Sequence, residues 1–570
     1  MADTQVIRGK VSRRRLMAVV GGVMLGMLIS SLQQTIIATA MPRIIAELNG
    51  MEQYAWAFTS FMLASTVMVP IWGKLSDLYG RRPFYILGLG LFILGSTLCG
   101  VAQDFTQLII FRAIQGLGAG AMMPIMQAII GDVFTPVERG KWQGAIMAVF
   151  GLSSIVGPVT GGWITDNWGW RWVFFVNLPL GLLALVAAGI ALPKFQSRPA
   201  RHRIDYLGSL LLIMGSVPML LAFSWAGGQY AWGSPQIIGL LGFSVVVTGA
   251  FLLVEHRATE PVIAPSLFRN SIYSISVVTT FLITAGMFGA ITFIPLYIQG
   301  VLGETPTNSG AVQTPMMLGF MASSIIGGQL MSRTGRYKVI AVTSLAVTGF
   351  GMFLLSRMDA GGSGGLVIRN MIVVGLGMGS LMSLFTIVVQ NAFPTSQMGA
   401  VTSSLQFFRS SGGTIGVAIL GSAMINRFSR EFSQGLSAQV RATVPPDKLE
   451  SLQNPQILLS PETAARISEG FAAMGPQGQA VLQQVMVGMR EALVLAIQEV
   501  YFIGLLLVIV AFVTSLFLKE IPLRTSHHDP EHGDEGTKQA KPAPEPATSQ
   551  HDENTRPISP AREEGRVWPS

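Results

Sequence analysis

The sequence predicts an all-α polytopic membrane protein with fourteen transmembrane helices, and three observations support this fold class. Half of the 570 residues are hydrophobic and only 12% are charged, about half the charge fraction of a typical soluble chain. The mean hydropathy is +0.51. The apolar residues are gathered into runs of roughly 18 to 25 residues, each long enough to cross about 30 Å of hydrocarbon as a helix.

Fourteen such runs follow one another along the chain. The first comes after a basic leader, residues 1–15, and is long enough to span, so we interpret it as a retained helix rather than a cleaved signal peptide. An even number of spans places both termini on one side of the membrane. The centres of the runs lie near Leu28, Leu63, Leu94, Leu117, Ser153, Leu183, Met214, Val245, Leu282, Phe320, Thr348, Met378, Ile415 and Val508.

The loops between the runs alternate in charge. Lys and Arg residues in the leader and the even-numbered short loops outnumber those in the opposite short loops by about nineteen to four, and short cytoplasmic loops are enriched in these residues. We therefore expect both termini to be cytoplasmic and the protein to lie in the plasma membrane, in contact with its lipids.

The same composition argues against several other classes of protein. The net charge of +8 comes from basic residues beside apolar runs, so we interpret it as a topology signal and expect no nucleic-acid partner. Cys99 is the one cysteine, which excludes a disulfide framework and a cysteine-based metal site. We find no pattern of nucleophile and base or of metal ligands, so we expect neither an enzyme nor a bound metal or cofactor.

A short glycine-containing turn, GKLSDLYGRR, joins the second and third runs. Glycine permits the backbone conformations that a very short helix–helix turn requires. Asp77 falls at a membrane boundary, where a carboxylate is expected to have a basic partner or a helix terminus nearby. The pattern G-x-L-x-D-x-x-G-R-R resembles the signature loop of the major facilitator superfamily. This resemblance implies a conformational role for the motif residues Gly73, Asp77, Gly80, Arg81 and Arg82.

A degenerate second copy of this turn follows later in the chain. Residues 328–336 read GQLMSRTGR, with Ser332 in the position of Asp77. Tandem halves of six helices are expected of this superfamily, but eight runs separate the two copies. Two extra helices therefore lie between two six-helix pseudo-repeats. This arrangement resembles the fourteen-span drug:proton antiporter family.

The repeat divides the chain into five expected parts. These are a cytoplasmic leader at 1–15, an N-terminal six-helix half at 16–192, a linker with the two extra helices at 193–255, a C-terminal six-helix half at 256–518 and a disordered cytoplasmic tail at 519–570. The C-terminal half includes an external loop at 427–495. Within that loop, the stretch from residue 478 to 498 has helical periodicity and is expected to lie against the membrane.

The fourth run contains an arginine within the hydrocarbon. A charged side chain there costs roughly 2.5 to 3.5 kcal/mol on insertion scales and normally faces the bundle interior or a water-filled cavity. The alternative is that Arg112 reaches out to the outer interface. Arg112, Gln115 and Gly116 form the pattern R-x-x-Q-G, which resembles the span-4 motif of the superfamily.

The fifth run carries G-P-x-x-G-G. Proline removes a backbone donor and bends the helix, and glycines four residues apart make a flat face for a neighbouring helix. The pattern resembles the antiporter motif of exporters in this superfamily, which is generally absent from importers. The resemblance implies that this region helps to seal the outer side of the transporter. Its residues are Gly157, Pro158, Gly161 and Gly162.

The first and thirteenth runs supply further candidate residues for the substrate pathway. LQQTIIATAMP resembles the family's first-helix motif, but Gln33 occupies the position of the family's Asp, and glutamine cannot carry a proton. LQFFRSSGGTIGVA also matches the family pattern and contains a second buried arginine. The candidate pathway residues are Gln33, Gln34, Thr35, Arg112, Gln115 and Arg409.

No Asp, Glu or His lies deep in any predicted span. If transport is driven by protons, the titrating group should therefore be an acid at a span boundary. Asp132 is the first candidate because it ends the helix that carries Arg112, so helix movement could change its solvation. A purely structural role for Asp132 at the helix end is the alternative.

These motifs predict a transporter that exports amphipathic small molecules by alternating access, in exchange for protons. Two alternatives stay open. A dedicated exporter of one metabolite, lipid or siderophore would have a narrow substrate range. A non-transporting receptor or scaffold would not need the motif of the fifth run or Arg112.

Overall fold

The computed structural model describes residues 13–48, 53–192, 204–227, 229–304, 306–436 and 475–523, together with residues 440 and 471. These residues form long α-helices, with one isolated β-bridge between Ala226 and Tyr230. The fourteen long helices are α1 Arg13–Leu48, α2 Tyr54–Tyr79, α3 Arg81–Gly100, α4 Phe105–Val133, α5 Pro136–Trp168, α6 Asn177–Ala191, α7 Tyr206–Trp225, α8 Pro235–Arg257, α9 Ser271–Gly300, α10 Pro306–Thr334, α11 Tyr337–Ser356, α12 Gly364–Ala392, α13 Met398–Gly435 and α14 Gly475–Leu516.

The all-α membrane fold is confirmed. Twelve of the described helices are long and apolar enough to cross a membrane, the sixth together with the short helix Trp172–Phe175 that precedes it. The two exceptions, α10 and α13, are 29 and 38 residues long and are richer in polar residues. Each packs against several other helices, which accounts for their greater polarity.

Local signals place many of the helix ends. The side chain of Asp104 accepts a hydrogen bond from the Gln107 amide, which caps the start of α4. Thr135 and Glu138 form a capping box at the start of α5, an arrangement that satisfies two amides left free by the helix. Gly80, with φ of 99°, lies between α2 and α3, where an L side chain would be strained.

The helices pack in a pattern that repeats. In the first group, α1 packs on α5 and α6, and α4 packs on α2 and α3; in the second, α9 packs on α13 and α14, and α12 packs on α10 and α11. Each helix of α1–α6 thus has a counterpart eight helices later. The two groups meet where α2 packs on α13 and α5 packs on α10. Helices α7 and α8 pack on each other, and α7 also contacts α2 and α13.

The region expected to be an external loop at 427–495 is helical at both ends. Helix α13 continues to Gly435, and α14 begins at Gly475. The stretch from 478 to 498 is helical, as its periodicity predicts, and it is continuous with the last span as the first half of α14. A stripe of buried residues runs along this half and includes Val481, Val485 and Met489. The leader up to residue 12 and the tail from 524 onward lie outside the described residues.

Candidate functional site

The turn between α2 and α3 connects directly to the start of α13. The carboxylate of Asp77 accepts hydrogen bonds from the backbone amides of Gly399 and Ala400, at 2.9 and 2.6 Å. It also forms an ion pair with Arg81. A helix N-terminus presents free amides and a partial positive charge to an anion. Asp77 therefore has both kinds of partner that its boundary position predicts, and it joins the two six-helix groups.

Arg81 extends this contact to a second acid. Its Nε donates to Asp132 at 2.8 Å, and its Nη1 donates to the hydroxyl of Ser76 at 2.9 Å. The Arg81 side chain is 5% exposed, and a buried ion pair is favourable only when further hydrogen bonds satisfy its members. The neighbouring Arg82 donates to the carbonyl of Gly189 in α6. The residues Asp77, Arg81, Asp132, Gly399 and Ala400 are called the α2–α3 network below.

Glycines allow α2 and α13 to approach this closely. A Cβ atom on Gly73 would lie 2.0 Å from the Ser403 hydroxyl, and one on Gly399 would lie 2.6 Å from the carbonyl oxygen of Gly73. Both distances are far shorter than carbon and oxygen atoms tolerate. Gly73, the first glycine of the motif, therefore allows α2 and α13 to make contact, and the hydrogen bonds of Asp77 stabilise that contact.

A second polar contact joins the two groups on the same side of the bundle. Arg139 in α5 is 2% exposed; its Nε donates to the Phe134 carbonyl at 2.8 Å, and its Nη1 donates to Gln390 of α12 at 3.5 Å. Gln390 in turn donates to the Gln127 carbonyl of α4 at 3.2 Å. In the sequence Arg139 is one of the basic residues of the short loops, and no single-sequence signal marks Gln390 as its partner 251 positions away.

The G-P-x-x-G-G motif of α5 is divided between two faces. A Cβ atom on Gly157 would lie 1.9 Å from the Thr35 hydroxyl, and one on Gly161 would lie 3.0 Å from the carbonyl oxygen of Ile36. Both glycines therefore pack against α1. In contrast, Pro158 is exposed, and no atom lies within 4 Å of the position a Cβ would take on Gly162.

Three consecutive residues of α1 have three different surroundings. Gln33 is fully buried and accepts a hydrogen bond from Asn177 of α6 at 2.5 Å. Asn177 also donates to Ser96 of α3 at 3.0 Å. Gln34 is exposed, whereas the hydroxyl of Thr35 donates to the Ser153 carbonyl at 3.2 Å and lies in the α1–α5 contact. Gln33 thus faces α3 and α6.

Arg112 is buried against α2. Its Nε donates to the Ala57 carbonyl at 3.1 Å, and its Nη1 donates to Gln115 at 2.8 Å. The guanidinium carbon lies 4.3 Å from the centroid of the Phe61 ring, which is a favourable cation–π distance. Within the described part of the chain Arg112 forms no ion pair, so a carbonyl, an amide and an aromatic ring solvate its charge.

Arg409 of α13 is in a similar environment within the second group. Its Nη2 donates to the Met382 carbonyl at 3.1 Å and to the Thr386 hydroxyl at 3.2 Å. Its Nη1 donates to Gln406 at 3.2 Å, while Nε is buried without a partner among the described residues. No hydrogen bond described here links Arg409 to Arg112 or to Gln33.

A further contact lies at the other end of the bundle, where α1 ends. Glu47 accepts a hydrogen bond from the indole of Trp170 at 2.5 Å and pairs with Arg171 at 2.9 Å. The Trp170 hydrogen bond, followed by the bond and charge of Arg171, holds the pKa of Glu47 below its ordinary value. These contacts fasten the end of α1 to the turn that follows α5.

One family model and several known proteins match most of the length of this chain. The family model of the Major Facilitator Superfamily matches residues 23–417. The multidrug transporter protein MdtP of Bacillus subtilis (strain 168) is 38% identical over 551 residues, which cover 95% of this chain and 99% of that protein. Multidrug resistance protein 3 of the same bacterium is 35% identical over 508 residues, which cover 89% of this chain and 96% of that protein.

Solved structures share the fold. The human organic anion transporter MFSD10 superposes with a TM-score of 0.56 at 13% identity, covering 88% of this chain and all of that one. The proton:xylose symporter XylE superposes with the same TM-score and identity, covering 90% of this chain and 97% of that one. At this identity the likeness concerns the helical architecture alone.

Proposed function

The chain belongs to the major facilitator superfamily of secondary membrane transporters, and we propose from this premise that it exports amphipathic small molecules across the plasma membrane in exchange for protons. The relatives named as multidrug transporters match it along almost their entire length, which favours a broad range of substrates. Membership of this family also makes the protein a transporter rather than an enzyme.

The packing of Gly157 and Gly161 against α1 is the observation that carries the proposed direction of transport. The G-P-x-x-G-G motif is typical of exporters in this superfamily, and here its two glycines four residues apart form the helix contact that such a motif supplies. A sealed α1–α5 contact on the outer side would prevent substrate and protons from leaking while the cytoplasmic side is open.

The basic short loops support an orientation with both termini in the cytoplasm. In this orientation, the α2–α3 network and the contact between Arg139 and Gln390 lie on the cytoplasmic side. Together they hold the two six-helix groups closed there. Uptake of cargo from the cytoplasm then requires these bonds to break, and a hydrogen bond to a charged group contributes about 1.5 to 3 kcal/mol.

The membrane potential and the proton gradient are the proposed energy source. One charge moved inward across about 150 mV supplies roughly 3.5 kcal/mol, or about two and a half decades of substrate gradient. Asp132 remains the first candidate proton carrier among the boundary acids, with a structural role at the helix end as the alternative. The proposed substrate pathway includes Gln33, Gln34, Thr35, Arg112, Gln115 and Arg409.

A dye panel tests the proposed substrate range. Cells expressing the chain are loaded separately with chemically unrelated amphipathic dyes, and efflux is followed after energisation. We expect faster efflux of several dyes than in cells expressing the Gly157→Leu variant at the same level. Efflux of only one compound would favour a dedicated exporter. No efflux of any dye or metabolite tested would favour a receptor or scaffold.

A further inference from the structure

The two helices inserted between the six-helix groups carry an acidic pair that the proposed pathway does not use. Asp205 precedes α7 and caps it, since its Oδ1 accepts a hydrogen bond from the Gly208 amide at 2.7 Å. Glu255 lies in the last turn of α8. Since α7 and α8 pack side by side, both acids lie at the same end of the pair.

The two carboxyl groups are close together and only partly hydrogen-bonded. Glu255 is 1% exposed, and its Oε1 accepts a bond from the Val262 amide at 3.1 Å. A Cβ atom on Gly208 would lie 2.4 Å from Asp205 Oδ2 and 2.8 Å from Glu255 Oε1, so these oxygens are within about 5 Å of each other. Asp205 Oδ2 and Glu255 Oε2 are both buried without a hydrogen-bond partner among the described residues.

Two ionised carboxylates this close in a buried site repel each other, and each unpartnered buried oxygen adds a desolvation cost. One proton relieves both costs. It neutralises one acid and so removes the repulsion, and the protonated carboxyl gains a hydroxyl that can donate a hydrogen bond. The geometry is therefore suited to hold a single shared proton.

Neither acid forms an ion pair in the described part of the chain, in contrast to Asp77 and Asp132, which both contact Arg81. The nearby ammonium of Lys74 is bound to Glu260 at 2.6 Å. A guanidinium in contact would stabilise the ionised form of an acid, and among the described residues none contacts Glu255. Among the described residues, His256, Arg257 and Arg269 are the other charged or titratable groups that line or adjoin the site.

A cavity of about 240 Å³ lies beside Glu255. Glu255, His256, Ser266 and Arg269 are among its lining residues, and its volume is large enough for several water molecules. Water held there would bring protons to the neighbourhood of Glu255.

The segment that follows α8 connects this site to the contact between the two six-helix groups. Val262, whose amide binds Glu255, belongs with Ile263 to an apolar cluster that also contains Ile71 of α2 and Phe407 of α13. In the same segment Glu260 binds Lys74, which is part of the motif turn. A change in the charge of Glu255 thus acts on the backbone that packs against the α2–α13 contact.

We infer that Asp205 and Glu255 form a proton-binding site on the inserted helix pair, and that its protonation is coupled to opening of the α2–α13 contact. This inference rests on the proposed function in one respect, because coupling to export requires the chain to be a proton-driven exporter. Proton binding itself does not depend on that function.

Infrared spectroscopy of the purified full-length chain in lipid nanodiscs tests proton binding directly. We expect a protonated carboxyl band that disappears between mildly acidic and mildly alkaline pH in the wild type and is lost in Glu255→Gln and in Asp205→Asn. Both substitutions keep a hydrogen-bond acceptor, and asparagine also caps helices. Asp104→Asn is the matched control, because Asp104 caps α4 in the same way and lies outside the inserted helix pair.

Two results would overturn the site. One is an unchanged pH difference spectrum in both variants. The other is a band that responds to the sodium concentration at fixed pH, which would make the site a metal-cation site.

Dye export measured in proteoliposomes then tests the coupling. Glu255→Gln should lose up to about two decades of gradient-driven dye accumulation while keeping dye exchange at equal pH. Full gradient dependence in this variant would refute the coupling and leave the proposed export intact. Absence of export in the wild type would instead refute the proposed function, while the infrared result would still decide the proton site.

Discussion

Arg81 is the residue that unites the α2–α3 network, because one guanidinium contacts the carboxylates of both Asp77 and Asp132. Asp77 contributes the contact to the other six-helix group through two amides of α13. The two acids therefore differ in position: Asp132 contacts Arg81 within the first group, whereas Asp77 spans the contact between the groups, which under the proposed function opens during transport.

Asp77→Asn should slow transport by loosening the closed cytoplasmic side. The amide keeps the size of the side chain but loses the charge that binds Arg81 and the start of α13. The loss of about 1.5 to 3 kcal/mol from one conformation is enough to slow the cycle roughly tenfold. The check is the initial rate of dye efflux at matched expression, with Asp104→Asn as the control. A rate equal to that of the wild type would exclude a latch role for Asp77.

The Asp132→Asn variant tests which acid carries the transported proton: Asp132, the candidate from the sequence, or the pair of Asp205 and Glu255. If Asp132 carries the proton, the substitution should abolish the dependence of efflux on the pH gradient and leave substrate exchange intact. If Asp205 and Glu255 carry it, the gradient dependence should persist at a reduced rate. Dye flux in liposomes with and without a pH gradient distinguishes these results.

For a single residue, the sequence predicts the chemical type of its contact partner but not which residue that partner is. The boundary position of Asp77 predicts a basic group or a helix terminus, and the structure supplies both. Yet Gly399 lies 322 positions away, and helical periodicity contains no information about contacts between distant helices. The contact of Gln33 with Asn177 could not be predicted for the same reason.

In the helix pair α1–α5, the spacing of the glycines in the motif of α5 decides which of them contact α1. Gly157 and Gly161 lie on one face because four residues make about one helical turn, and that face contacts Thr35 and Ile36. Gly162 belongs to the same sequence motif but points away from this contact. The motif thus contains two glycines that contact α1 and one that does not.

Gly157→Leu should abolish net export without preventing insertion. A large side chain would displace α5 from α1, and overpacking of a close contact typically costs about 1 to 3 kcal/mol. Gly162→Leu is the matched control, since no atom lies within 4 Å of the corresponding Cβ position, and it should export normally. Dye efflux at equal membrane expression provides the measurement. Normal efflux by Gly157→Leu would show that the α1–α5 contact is not required.

The existence of the helices was predictable, and their full lengths were not. Each expected span centre falls within one of α1–α14, because hydropathy reports burial in the membrane directly. Helix α14 extends from Gly475 through 42 residues, and one face of its first half, which includes Val481, Val485 and Met489, is buried against protein. Composition cannot show whether the apolar face of such a stretch packs against protein or against the membrane surface.

At the scale of the whole molecule, two groups of six helices meet along α2–α13 and α5–α10. Gly140 and Gly328 bring the second pair together, since a Cβ on either would lie within 2.4 Å of the other's carbonyl oxygen. The inserted pair α7 and α8 contacts this arrangement through α2 and α13. This is the position that the proposed coupling between the inserted pair and the α2–α13 contact requires.

The loop charges predict that Lys10 and Ala540 are cytoplasmic and that Ser460 is external. Single cysteines at these positions, in a chain with Cys99→Ser, should react differently with an impermeant maleimide applied to intact cells. Labelling is expected at 460 only, with labelling at all three positions after permeabilisation. Labelling of intact cells at 540 but not at 460 would reverse the proposed orientation.

The most direct test of proton-coupled export follows dye and pH together in everted membrane vesicles with an acidic interior. Proton-coupled export predicts that added dye accumulates inside and that the interior becomes more alkaline as it does so, with neither change in the Gly157→Leu variant. Accumulation of dye without any change in internal pH, or dye movement out of the vesicles, would contradict it.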